Sequence, residues 1–76
     1  MKSRHQHHSH KLFAINANWT ALQPVQGWRH YRIATVRRDS VGQKELEMMA
    51  VCDRTVRFWL PKAALKSSNH WQPGWQ

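Results

Sequence analysis

Arg54-Thr55-Val56-Arg57-Phe58-Trp59, running on into Leu60-Pro61, alternates basic or polar residues with large apolar ones. That is the pattern of a strand with one face buried. Two further runs upstream have strand character: His30 to Arg38 and Lys44 to Val51, separated by Asp39-Ser40-Val41-Gly42. Asp and Gly make that separator a turn, with Gly42 placed for a positive φ. The three runs predict an antiparallel meander, and its register decides which side chains meet.

A slip of one residue moves every side chain to the other face, so the apolar residues select the register. A two-residue loop before the last strand leaves both faces equally mixed. A three-residue loop, Cys52-Asp53-Arg54, sets Ala50 against Val56, Met48 against Phe58 and Leu46 against Leu60. One face is then fully apolar, and this register is preferred. A four-residue loop in the first hairpin adds Thr35 against Leu46, Ile33 against Met48 and Tyr31 against Ala50. The expected core face is Tyr31, Ile33, Leu46, Met48, Ala50, Val56, Phe58 and Leu60. The opposite face carries His30, Arg32, Ala34, Val36, Glu45, Glu47, Met49, Val51, Arg57 and Trp59. Its partial apolar character predicts a cover from the Trp19 segment or the C-terminal tail.

Around this meander, Trp19-Thr20-Ala21-Leu22 is a candidate short strand stopped by Pro24 and the Gly27 turn. Residues 60–66 read as a short helix with Pro61 at its first position, ended by Ser67-Ser68-Asn69. The tail His70 to Gln76 holds a Pro73-Gly74 turn expected to bring Trp71 and Trp75 close together. Its two tryptophans predict that it packs back on the sheet. The fold class is mainly β: a small antiparallel sheet of three to four strands, SH3-like or a half-barrel, with one short C-terminal helix. The domain is residues 11–76. Residues 1–10 hold no apolar residue after Met1 and form a His-rich tail expected to be disordered.

A chain of 76 residues makes one domain at most. Its five tryptophans compensate for a small core, because each buried aromatic removes roughly 150–250 Å² from water. The single cysteine, Cys52, excludes an internal disulfide framework and suits a reducing compartment, so the expected location is cytoplasmic. No stretch approaches the ~20 apolar residues that span a membrane. Net charge is +8, from 12 Lys and Arg against 4 Asp and Glu, a balance that favours polyanionic partners.

Catalysis has little support. Cys52 with His30 or His70 lacks an orienting acid and an oxyanion donor, and the acids fall in turns or opposite basic strand residues. His5, His7, His8 and His10 have no Cys or acid nearby and fit no structural zinc spacing. The expectation is a protein that is not an enzyme and has no cofactor or metal. A small sheet bearing arginines and an exposed aromatic suits RNA or single-stranded nucleic acid, with rings stacking bases and cations meeting phosphates. The candidate residues are Arg32, Arg57, Trp59, Lys62 and His30. The alternative is a protein–protein interaction module using an aromatic groove. An exposed edge strand also leaves dimerisation open.

In chain order, Lys11-Leu12, Trp19-Thr20-Ala21, Pro24, His30-Tyr31, Trp59, Leu65, and Trp71 with Gly74-Trp75 resemble the small bacterial tryptophan-rich proteins grouped as DUF2389. The resemblance spans residues 11–76. Ala17-Asn18 stands where that family usually carries Ser-Lys, and the His-rich start lies outside its pattern. The family is uncharacterised, so the resemblance implies one fold containing these tryptophans and no activity.

Overall fold

A computed structural model describes residues 11–67 and 69–76; the His-rich tail, expected to be disordered, lies outside the described residues. Five strands, β1 (Asn18–Val25), β2 (Trp28–Arg38), β3 (Lys44–Ala50), β4 (Arg57–Pro61) and β5 (Trp71–Pro73), form one antiparallel sheet in the order β4-β3-β2-β1-β5. A one-turn helix, α1 (Lys62–Leu65), follows β4. The class is mainly β, as the alternation predicts, but with five strands rather than three to four.

Only the second half of the opening stretch enters β4, which begins at Arg57. Residues 54–56 stay in a loop longer than the three residues expected, yet the register still gives an apolar face, with Leu46 opposite Leu60 and Met48 opposite Phe58. Ala50 and Val56 follow on, with the Ala50 amide donating to the Val56 carbonyl at 3.0 Å. The first hairpin keeps the expected register only as far as Tyr31–Ala50 and Ile33–Met48. Ala34 then enters as an extra residue, and beyond it Thr35 faces Glu47 and Val36 faces Leu46. The expected Thr35–Leu46 pair does not form. This β-bulge moves Val36 from the outer face to the core face, where it packs partly buried. It turns Arg37 outward instead.

β1 runs through Pro24 rather than stopping at it, with its pairing to β2 broken between Thr20 and Val25. Gln26 and Gly27 link it to β2 with φ of 52° and 88°, the two left-handed residues of a type I′ hairpin. Pro61, expected as the first helical residue, stays extended (φ −68°, ψ 148°) and pairs with Glu45. It lies on an edge strand, where its missing N–H breaks no ladder.

The core is Trp19, Ala21, Tyr31, Ile33, Leu46, Met48, Ala50, Leu65 and Trp71, all buried. Val56, Phe58 and Leu60 pack against it half-buried. Five paired strands laid flat would hold β4 and β5 about 19 Å apart. Yet the Phe58 and Trp71 ring centroids are 6.4 Å apart, and Tyr31 meets both edge-on at 5.3 and 5.6 Å. The sheet therefore curls until its two edge strands share one aromatic cluster, and α1 closes it by packing on β3, β4 and β5. Among the described residues the buried side-chain polar atoms are satisfied: Trp19 Nε1 donates to Leu12 O (2.7 Å) and the Tyr31 hydroxyl to Val25 O (2.6 Å).

Candidate nucleic-acid interface

The convex face of the sheet is a grid set by strand register. Asn18, Arg32, Met49 and Arg57 form one cross-strand row; Thr35, Glu47 and Trp59 form the next; Arg37, Glu45 and Pro61 form the third. His30 pairs with Thr20, and Thr20 with Gln72, on the other side of Arg32. By alternation along β2, Trp28 lies on the same side as His30 and Arg32. It is 36 % exposed.

Four of the five candidates, His30, Arg32, Arg57 and Trp59, therefore share one face. Lys62 does not. Its ammonium lies 4.8 Å from the Phe13 ring centroid, and Phe13 packs against Trp19 of the core. Lys62 belongs to the opposite side of the sheet, because α1 closes the concave face.

Two aromatic–cation pairs dominate the convex face. The Arg37 guanidinium sits 3.7 Å from the Trp59 ring centroid and donates to Glu45 at 2.8 Å. The second pair is built by the tail. After β5 the chain turns at Gly74 (φ 79°), and Trp75 crosses to the convex face while Trp71 stays in the core. The Pro-Gly turn thus separates the two rings to opposite faces rather than joining them. Trp75 donates from Nε1 to the Tyr31 main-chain carbonyl at 3.1 Å. The Arg32 guanidinium lies 5.4 Å from its ring centroid, and the His30 ring 6.2 Å away. The expected cover over this face is this tail segment, and Trp19 lies in the core instead.

The segment is pinned by Thr20. Its hydroxyl donates to Gly74 O (2.7 Å) and accepts from the Gln76 amide (2.9 Å). His30 donates from Nε2 to the Gln76 main-chain oxygen at 3.0 Å. Trp75 still exposes 43 % of its surface, and Trp59 is half-buried. Arg57 donates from Nε to Arg54 O at 2.9 Å, with Nη1 4.0 Å from Glu47. Ion pairs this exposed contribute at most about 1 kcal/mol each, so both arginines can exchange their glutamates for another anion.

Arg37 and Trp28 were missed from sequence. The bulge hides Arg37, and Trp28 stands just ahead of the His30 to Arg38 run that the alternation marks as a strand. Chemically the face offers flat π-surfaces beside guanidinium planes, a stacking arrangement. No group of three or more His, Cys, Asp and Glu side chains able to hold a metal ion comes together among the described residues. No helix among them is long and apolar enough to cross a membrane.

No curated protein and no solved structure matches the chain. Residues 17–76 match the family described as tryptophan-rich protein, DUF2389. That span holds every tryptophan of the sequence and leaves Lys11-Leu12 outside. The chain belongs to the DUF2389 family of tryptophan-rich proteins.

Proposed function

We propose that the chain is a small basic binding protein, not an enzyme, that holds RNA or single-stranded nucleic acid on its convex sheet face. One observation carries this reading: Arg32, Arg37 and Arg57 stand among Trp59 and Trp75 on a single face, and both rings keep exposed surface. Base–aromatic stacking contributes about 1–3 kcal/mol per base and tolerates any sequence. Guanidinium groups add phosphate contacts and stack themselves. The exposed free thiol of Cys52 suits the reducing cytoplasm.

The test is intrinsic tryptophan fluorescence during titration with polyuridine, at low and then at physiological salt. A saturable quench that weakens with salt is expected. The Arg32→Ala/Arg57→Ala variant should bind far more weakly, and Trp59→Ala should lose about 1–3 kcal/mol of affinity. Absence of any quench at either salt sinks the reading.

Glu45 and Glu47, on β3 of the same face, favour a second reading. Carboxylates there oppose a polyanion and suit a protein partner presenting charges of both signs. Capture of a protein that the Arg32→Ala/Arg57→Ala variant fails to capture, without a polyuridine response, would favour this alternative.

A further inference from the structure

At the end of the sheet, a groove of about 450 Å³ opens between the β2–β3 turn and α1. Arg38, Lys44, Lys62 and Lys66 line it, with Gln43 and Pro61 at its sides. Arg38 and Lys44 are directly opposite across the two strands, and Lys62 and Lys66 are four residues apart at α1. Like charges in either relation repel. Such a cluster normally attracts carboxylates, and here it has none. All four acids of the chain are engaged elsewhere. Asp39 caps its own turn through the Val41 and Gln43 amides, and Asp53 holds Thr55. Glu45 pairs with Arg37, and Glu47 lies near Arg57.

We infer that this groove is a second site, separate from the sheet face, which binds a free compact anion carrying two or more phosphoryl groups. Four cations without a protein counter-ion make a field that only a multiply charged ligand neutralises. The volume is that of a small-molecule site. Arg38 is held by one N–H to Gly42 O at 2.8 Å, which orients the rest of its fork, and a guanidinium fork matches phosphoryl oxygens. Lys44 and Lys66 add ammonium donors, and Lys62, whose ammonium lies 4.8 Å from the Phe13 ring centroid, adds its charge. Burial, with the charges of Lys62 and Arg38 adding to it, lowers the Lys44 ammonium from its ordinary value. No aromatic ring lines the groove, so nothing there stacks a base, which favours a free anion over a nucleic-acid strand.

The experiment titrates the full chain with inorganic tripolyphosphate at physiological salt, followed by backbone amide shifts and thermal unfolding. Saturable shifts at Arg38, Gln43, Lys44, Ala63 and Lys66 are expected, with a rise in Tm. Orthophosphate should bind more weakly by about tenfold, the effect of one lost charged contact. Lys44→Gln/Lys66→Gln should weaken tripolyphosphate binding by at least about tenfold, yet leave the ligand-free Tm equal or higher, because repulsion is relieved. A purely structural role would lower that Tm. Lys66→Gln, at an exposed position, should shift affinity the same way, while Arg32→Ala/Arg57→Ala leaves it unchanged. Absence of saturation, or unchanged affinity in the lysine variants, overturns the site. So do polyuridine shifts at these amides without a tripolyphosphate response.

Discussion

Thr20 is the one polar side chain fully buried among the described residues, and it links the sheet to the C-terminal segment. Replacing it with Val keeps the shape but leaves the Gly74 carbonyl and the Gln76 amide without their partner. Thr20→Val should cost about 1–3 kcal/mol and loosen Trp75. Chemical denaturation gives the first quantity, and a red-shifted, more quenchable tryptophan emission reports the second. Tyr31 gives a second prediction. Burial raises its hydroxyl above the ordinary tyrosine value, so the neutral form is favoured in the folded chain. Its contribution is fully present below pH ~10 and is lost as pH rises from there through the folded value. Tyr31→Phe should flatten this alkaline loss. At neutral pH it should cost about 1–3 kcal/mol, because the Val25 carbonyl loses its donor; stability measured against pH checks both. The sequence showed the faces of Val56, Arg57, Phe58 and Trp59, because strict alternation determines them. It showed nothing of the Thr20 hydrogen bonds, since their partners lie more than 50 residues away.

At the scale of elements, turn chemistry was readable and the bulge was not. Asp39 with Gly42 is a local signal and makes the expected turn, whereas Asp53, bonded to Thr55, belongs to a loop longer than the three residues expected. The bulge at Ala34 has no such marker: neither Gly nor Pro stands there, and it arises because Val36 reaches the core beside Leu46 while Arg37 meets Glu45 outside. One extra residue therefore decided which arginine stacks on Trp59. Pro24 misled in the same way, because a proline stops a central strand but is tolerated where the ladder is already broken. The β1–β2 turn carries its own prediction. Gln26 holds a left-handed conformation that an ordinary side chain adopts at a cost and Asn adopts more easily. Gln26→Asn should stabilise the domain by about 0.5–1 kcal/mol, a Tm rise of a few degrees at this size. Calorimetry checks it.

Across the whole molecule, the basic residues fall into two different settings. The convex face interleaves arginines with two glutamates, and the groove under α1 holds cations alone. Each part should have its own salt response. For polyuridine on the convex face, each phosphate neutralised contributes a slope of about −0.7 to the dependence of log affinity on log salt. Removing Arg32 should make that slope shallower by about that amount, and removing Lys62 should leave it unchanged. Titrations at three or more ionic strengths measure both.

β1 pairs with β5 through Trp19–Pro73, Thr20–Gln72 and Ala21–Trp71, contacts that join the two ends of the domain's chain. Such a pairing closes late, since the entropy of closing a long loop must be met before the contacts form. During synthesis the hairpins from β1 to β4 can assemble while Trp19 still lacks its neighbour and β1 presents an unpaired edge. The nascent protein therefore passes through a stage in which a tryptophan-bearing strand edge is open to association. The arrival of Trp71 ends that stage by covering the edge and completing the aromatic core together.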